Sequence, residues 1–149
     1  MTAATTPRNT DRLVASSSLW RNFPVKGDVV AEYGWIAMLD QTTGFVRVGA
    51  TATGCVGVGR FANSIDTTGK ADGAFGVDVD FGVFYYANSA GGDAITAADF
   101  GKLCYIADNQ TVAATDGTGT RSPAGIVYEL RADGQVGVRM DPTTYVSNP

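Results

Sequence analysis

The chain has 149 residues, of which 44% are apolar and 17% charged, and this composition favours one globular domain over a disordered segment. It contains no histidine, which excludes Ser-His-Asp and Cys-His nucleophilic sites and removes the commonest zinc ligand. The formal net charge is −4, with the acidic excess beyond Lys26, and nucleic-acid binding is not indicated because it needs clustered Lys and Arg.

Residues 1–22 are rich in Thr, Ser, Asn and Ala and show no sustained periodicity. We therefore predict an extended N-terminal arm here, a β-rich domain over 23–141 and a C-terminal tail over 142–149. The arm lacks the charged and then apolar order of a signal peptide, and no apolar run approaches the ~18 residues of a membrane helix. We expect synthesis in the cytoplasm and no membrane partner.

Large side chains at the end of this arm are the first candidate contact residues. A disordered tail has little use for such groups, so we expect them to dock either on the domain's own core or on a neighbouring subunit. Aromatic and Arg side chains are also the residues most favoured at interface hot spots. The residues predicted to contact a partner or another copy are Arg8, Arg12, Leu13, Leu19, Trp20, Arg21 and Phe23.

Short β-like runs separated by turn signals follow the arm, and 19 glycines with only five prolines fit frequent turns. The predicted strand runs are 28–40, 44–50, 54–61, 75–86, 102–107, 111–115, 124–130 and 135–140. Hairpin turns are predicted at 41–44 and 132–134. One helical turn is predicted within 93–101, with Thr96 as its cap and Gly101 as a left-handed stop. The pattern predicts an all-β fold, a small β-barrel or β-sandwich of short antiparallel strands.

An approximate internal repeat runs through these strands. The segment YGWIAML at 33–39 aligns with FGKLCYI at 100–106, a separation of 67 residues. The segment CVGVGRF at 55–61 aligns more loosely with AGIVYEL at 124–130. Each half also has the same order of strands, hairpin and Gly-rich link. We therefore predict two similar β-units that close on one core.

Two aspartates, Asp78 and Asp80, stand one residue apart in the segment FGVDVDFGV. On a strand they share one face about 7 Å apart, near the separation of an inverting glycosidase pair. They have no histidine, Glu-rich cleft motif or calcium-loop pattern beside them. We interpret them as the solvent-facing side of a strand; a weak calcium site or an ion pair to an arginine of a neighbouring copy is the alternative. No nucleophile, base and oxyanion site assemble, so we expect no enzyme activity.

Cysteines and aromatic residues are the remaining candidates for chemistry. Cys55 and Cys104 have apolar neighbours and no CxxC spacing, so we predict buried small hydrophobes, with a disulfide or a reactive thiol as the alternative. The aromatic candidates for a sugar-stacking platform are Trp35, Tyr85, Tyr86 and Tyr128. Such residues are more often core or interface groups.

Three segments in fixed order carry a resemblance to a known family. They are GDVV before an apolar strand, GVFYYANSAGGDAITAADFGKLCYIADNQTV, and the terminal AGIVYEL followed by GQVGVRM. Over about residues 25–141 the chain resembles the tailed-bacteriophage capsid decoration proteins, also called structural cement proteins. Residues 1–22 lie outside this resemblance.

The resemblance implies a virion protein that binds the outside of an assembled icosahedral capsid, without enzyme activity or cofactor. The expected partners are the major capsid protein and other copies of this chain, as a trimer or as neighbours on the head. The expected location is the capsid exterior, after synthesis in the cytoplasm of the bacterial host. The alternative is a tail- or fibre-associated carbohydrate-binding module that uses the aromatic residues and the face with Asp78 and Asp80.

Overall fold

A computed structural model describes residues 2–11 and 19–141 of the chain. The described residues form twelve strands and two 3₁₀ turns, so the prediction of an all-β fold is confirmed. The strands are β1 (Trp20–Pro24), β2 (Val30–Ala31), β3 (Ile36–Asp40), β4 (Val46–Val48), β5 (Cys55–Phe61), β6 (Ile65–Asp66), β7 (Gly76–Asp80), β8 (Gly82–Asn88), β9 (Leu103–Ile106), β10 (Thr111–Ala113), β11 (Pro123–Leu130) and β12 (Val136–Met140).

These strands form two β-units that follow one another along the chain. The first unit is a five-stranded sheet in the order β1-β7-β5-β3-β4, and a parallel bridge between Val25 and Val46 joins its two edges. The second unit is a closed barrel in the order β10-β8-β12-β11-β9. Strands β2 and β6 form a separate two-stranded ribbon beside the first unit.

The two units repeat the same topology strand for strand. Strands β1, β3, β4, β5 and β7 correspond to β8, β9, β10, β11 and β12, and every pairing keeps its direction, including the parallel contact that closes each unit. The register also repeats. The corresponding cross-strand pairs are Ile36–Arg60 with Leu103–Ile126, Ala37–Gly59 with Cys104–Gly125, and Met38–Gly57 with Tyr105–Pro123. The predicted pair of similar β-units is therefore present.

This register confirms one predicted alignment and corrects the other. Strand β3 corresponds to β9 at the predicted separation of 67 residues. The alignment of residue 55 with residue 124 was wrong, because the bulge that skips Val58 in β5 recurs at Ala124 in β11. The separation in these strands is therefore 66 residues.

The apolar interior consists of two clusters, which corrects the expectation of one core. One cluster fills the first unit around Phe61 and Val79, and the other fills the barrel around Phe84 and Tyr86. Strand β3 contributes to both, because neighbouring residues on a strand point to opposite faces. Ala37 packs in the first cluster, whereas Ile36 and Met38 on the opposite face pack in the second.

The segment 75–86, predicted as one strand, consists of two strands in different units. Strand β7 pairs with β1 and β5, whereas β8 pairs with β10 and β12. The chain passes from the first unit to the second at Phe81, which is half-buried. Phe75 is exposed rather than on the buried face expected for it.

The ends of the predicted domain need a second correction. The boundary expected after residue 22 falls within β1, so the first unit begins at Trp20. Strand β1 forms because Phe23 is buried against β7 while its neighbours face solvent. The tail over 142–149 lies outside the described residues.

The predicted helical piece consists of two 3₁₀ turns, Gly91–Asp93 and Ala97–Asp99. The Thr96 amide donates to the Asp99 carboxylate at 2.8 Å, as the capping prediction requires. Across the described parts of the chain, no helix has the length and hydrophobicity needed to cross a membrane.

Candidate interaction surfaces

Residues 2–11, called here the N-terminal segment, lie across both β-units instead of extending away from them. On the first unit, the Arg8 amide donates to the Tyr33 carbonyl at 3.0 Å. The Trp35 indole nitrogen donates to the Thr6 carbonyl, also at 3.0 Å. These bonds hold the backbone of the segment rather than its side chains.

The same segment is bound to the second unit at both of its ends. The Asn109 side chain accepts from the Ala4 amide at 2.7 Å and donates to the Ala4 carbonyl at 3.0 Å. At the other end, the Tyr85 amide donates to the Asp11 carbonyl at 3.0 Å. The N-terminal segment therefore ties the two units together, a role that the sequence pattern did not predict.

Two side chains of the segment enter the junction between the units. Thr10 is fully buried, and its hydroxyl donates to the Gly34 carbonyl. Arg8 places its guanidinium over the Tyr86 ring, 5.6 Å from the centroid. Burial lowers the pKa of Arg8, and the Tyr86 and Asp11 charges oppose that shift. Arg8 therefore packs within its own chain, at the junction between the units, and not at the outward-facing position expected of a residue that contacts a partner.

The other predicted contact residues divide into three groups. Arg12 and Leu13 lie outside the described residues. Phe23 is 3% exposed in the first core, so it offers almost no side-chain surface to a partner, and Arg21 lies over its ring at 4.7 Å. Leu19 and Trp20 are more than half exposed and remain available for contact.

Leu19 belongs to an exposed apolar surface that the sequence did not reveal. It lines a pocket of about 280 Å³ together with Phe81 and Tyr128. The Phe100 ring lies against Tyr128, with centroids 6.3 Å apart, and Phe100 is 66% exposed. We call Leu19, Phe81, Phe100 and Tyr128 the contact face. An exposed apolar surface with polar residues at its rim is typical of interaction sites.

Only Leu19 of these four was predicted as a contact residue. A signal for Tyr128 was present, because it alternates with the apolar residues of its strand and so faces outward once the bulge at Ala124 is known. Phe100 directly precedes Gly101 at a turn, a place where a large ring has no core to enter. The signal for Tyr128 could not be used without the register of β11.

Comparison with protein-family models, with curated proteins and with solved structures finds no match. The contact face and the N-terminal segment are therefore interpreted from their own geometry.

Asp78 and Asp80 do not form a paired acid site. Asp78 accepts from the Asn22 side chain at 2.9 Å, and Asp80 accepts from Arg60 at 3.3 Å. The ion pair considered for this strand thus exists, but within the same chain rather than to a neighbouring copy. Both carboxylates are half-buried, so the interpretation as a freely solvated face was incomplete. No group of three or more metal-ligating side chains occurs in residues 2–11 and 19–141.

The cysteines are buried free thiols, as predicted. Burial raises the pKa of Cys55, although nearby Arg47 opposes the shift. Burial raises the pKa of Cys104 to about 12, although hydrogen bonds from the backbone of Gly125 and of Cys104 itself oppose the shift. Neither thiol has the lowered pKa that marks a reactive cysteine.

The aromatic residues considered for sugar stacking do not form a platform. Trp35, Tyr85 and Tyr86 are all less than 10% exposed, and only Tyr128 is accessible. Tyr85 donates its hydroxyl hydrogen to Glu129, and burial together with this bond raises its pKa to about 12. Trp35, Tyr85 and Tyr86 are therefore interior rings that cannot stack on a carbohydrate in this fold.

Proposed function

We propose that this protein is a bacteriophage capsid decoration protein, which binds the outer surface of an assembled head and stabilises contacts between capsomers. The observation that carries the proposal is the contact face, an exposed apolar surface on a body whose two β-units are closed and tied together. The sequence resemblance over about residues 25–141 supports the same function. The major capsid protein and other copies of this chain are the proposed partners, and the capsid exterior is the proposed location.

The construction of the body supports this proposal on physical grounds. A protein that remains bound outside a particle benefits from few loose strand edges, and each β-unit here closes on itself. The contact face has four residues, whereas a stable interface between two proteins uses about 20–30 residues on each side. Repeated weak contacts on one lattice gain avidity when copies are linked through the lattice, so a small face suffices for a decoration protein.

The proposal is tested by binding to heads that lack this protein. Wild-type protein, the double variant Leu19→Asp with Tyr128→Asp, and the control Val30→Asp are mixed with such heads and sedimented. Val30 is 49% exposed on β2, which lies on the two-stranded ribbon. We expect wild type and control to sediment with heads and the double variant to bind at least about tenfold more weakly. Circular dichroism confirms that each variant is folded.

Two results would overturn the proposal. One is the absence of wild-type binding to heads at any ratio tested. The other is a virion preparation in which quantitative mass spectrometry finds no copies of the chain, or only a few copies that remain with detached tails.

A further inference from the structure

The repeat places two equivalent corners on the molecule, one in each unit. The first corner is Tyr33, Gly34 and Trp35 before β3, and the second is Phe100, Gly101 and Lys102 before β9. Each residue of the first corner corresponds to one 67 positions later in the second.

The backbone hydrogen bonds show that the corners match in detail. Three bonds recur, each between corresponding atoms and at 2.8 to 3.2 Å. The Gly34 amide donates to the Phe61 carbonyl, as the Gly101 amide does to the Val127 carbonyl. The Phe61 amide donates to the Trp35 carbonyl, as the Val127 amide does to the Lys102 carbonyl. The Trp35 amide donates to the Glu32 carbonyl, as the Lys102 amide does to the Asp99 carbonyl. Both central glycines have positive φ, +88° for Gly34 and +80° for Gly101.

An extended polypeptide covers the first corner. The Arg8 amide and the Thr10 hydroxyl donate to the carbonyls of Tyr33 and Gly34. A Cβ added to Gly34 would overlap the Arg8 carbonyl, so the N-terminal segment lies directly on this glycine.

Among the residues that the structure describes, none covers the second corner in this way. A Cβ added to Gly101 would meet nothing within 4 Å, and Phe100 is 66% exposed. No hydrogen bond from residues 2–11 or 19–141 reaches the carbonyl of Phe100 or Gly101. The carbonyls that hold the N-terminal segment on the first unit therefore have counterparts on the second unit that accept no hydrogen bond from the described residues.

The surroundings of the second corner indicate the chemistry of its occupant. The Phe100 ring packs against Tyr128, and Tyr128 lines the same pocket as Leu19. An apolar side chain of the partner therefore fits in this pocket. Asp141, which is half-buried, and Arg139 line the same pocket; Arg139 is exposed and makes no ion pair within the described part of the chain. An acidic group next to the apolar one would complement it.

We propose that the second corner binds an extended segment of another protein, with a backbone amide donating to the Phe100 carbonyl, a side-chain hydroxyl donating to the Gly101 carbonyl, an apolar side chain in the pocket and an acidic side chain near Arg139. The inference rests on the proposed function, because only that function identifies the capsid shell protein as the source of the segment. The N-terminal segment of a second copy fits less well, since the only apolar side chains in residues 2–11 are Ala and Pro.

Site-specific photocrosslinking tests the inference with the full-length protein. p-Benzoylphenylalanine replaces Phe100 in one variant and Phe75 in a control, where Phe75 is an exposed ring at the first unit. Each variant is bound to heads that lack this protein, irradiated and digested, and the crosslinked peptides are identified by mass spectrometry. We expect position 100, and not position 75, to crosslink to one short linear segment of the shell protein that contains apolar and acidic residues.

The possible outcomes separate this inference from the proposed function. Heads that bind the protein without a shell crosslink at position 100 would overturn the inference and leave the proposed function in place. A crosslink at position 100 to residues 2–11 of another copy would also overturn it. Failure to bind heads overturns the proposed function, and the inference fails with it.

A charge reversal gives a second readout. Arg139→Glu is expected to weaken head binding at least about tenfold, and Arg47→Glu, on the first unit, to leave it within about twofold. Equal binding by wild type and Arg139→Glu would contradict the acidic partner group.

Discussion

Gly34 and Gly101 hold the same left-handed backbone conformation at corresponding corners of the two β-units, yet only Gly34 lies beneath the N-terminal segment. The two units therefore share a topology but differ in what covers them. In the first unit the chain covers its own corner, and in the second the corner is exposed. This difference makes the two glycines a matched pair for mutagenesis.

Gly34→Ala should release the N-terminal segment, whereas Gly101→Ala should not. Both substitutions place Ala at positive φ, at a cost of about 1–2 kcal/mol. Only the new methyl group at Gly34 overlaps the Arg8 carbonyl and displaces the segment. Limited proteolysis followed by mass spectrometry is expected to show faster cleavage within residues 2–11 for Gly34→Ala alone. Equal cleavage in both variants would contradict the contact between this segment and the first corner.

Asn109→Ala should loosen the other end of the segment. The substitution removes two hydrogen bonds to Ala4, each contributing about 1 kcal/mol net. Hydrogen exchange measured by mass spectrometry is expected to show faster exchange in the N-terminal peptide and little change in β8. The control is Thr42→Ala, in the corresponding hairpin of the first unit. An unchanged exchange rate would mean that Asn109 does not hold the segment.

The sequence predicted most strands because their apolar alternation is local. It missed β1 and β6, since each depends on its partner: β1 forms because Phe23 is buried on β7, and β6 because Ile65 pairs with Ala31 of β2. It also merged β7 with β8, because continuous alternation through Phe81 carries no sign that the chain moves to another sheet.

The repeat was visible in sequence but its register was not. A β-bulge adds one residue to one strand of a pair, and the position of the extra residue is set by the partner strand, so Val58 and Ala124 could be matched only from hydrogen-bond pairing. The sequence also did not predict the contact face, because Phe100 and Leu19 are far apart in the chain. Only the folded structure places Phe100 against Tyr128 and Leu19 in the same pocket as Tyr128.

Gly125→Ala should destabilise the barrel strongly. A Cβ at this position would overlap the Arg139 carbonyl of the paired strand β12, so the two strands must separate. We expect a loss of about 2–3 kcal/mol in the free energy of unfolding, measured by urea denaturation. Gly92→Ala is the control, because its Cβ would meet nothing within 4 Å. Equal stabilities of the two variants would contradict the close approach of β11 to β12.

The stability of the second unit should depend on the ionisation of Asp93. A hydrogen bond from the Thr115 hydroxyl and a contact with Arg121 at 3.2 Å hold the pKa of Asp93 below its usual 3.8. The unfolded chain therefore takes up this proton at higher pH than the folded chain. The stabilisation is complete above about pH 4 and is lost as the pH falls through the lowered pKa.

Asp93→Asn is accordingly expected to flatten the fall in melting temperature between pH 5 and pH 2. The control is Asp116→Asn, whose carboxylate makes no hydrogen bond in the described part of the chain, and it should retain the wild-type slope. A wild-type slope in Asp93→Asn would show that the Arg121 contact is not formed in solution.

The two thiols should be unreactive until the protein unfolds. Cys104 is fully buried and Cys55 is 2% exposed. The Cys55 amide also donates a hydrogen bond to the Ser122 hydroxyl, which holds the backbone of this residue in place. Since only the thiolate is nucleophilic and burial raises both pKa values, native protein at pH 8 is expected to react with a disulfide reagent at least about a hundredfold more slowly than an unfolded thiol. Addition of denaturant should release two thiols per chain in one phase that tracks the loss of circular dichroism. Both cysteines belong to the apolar cluster around Phe84 and Tyr86, so rapid reaction of either thiol in the folded protein would contradict its burial there.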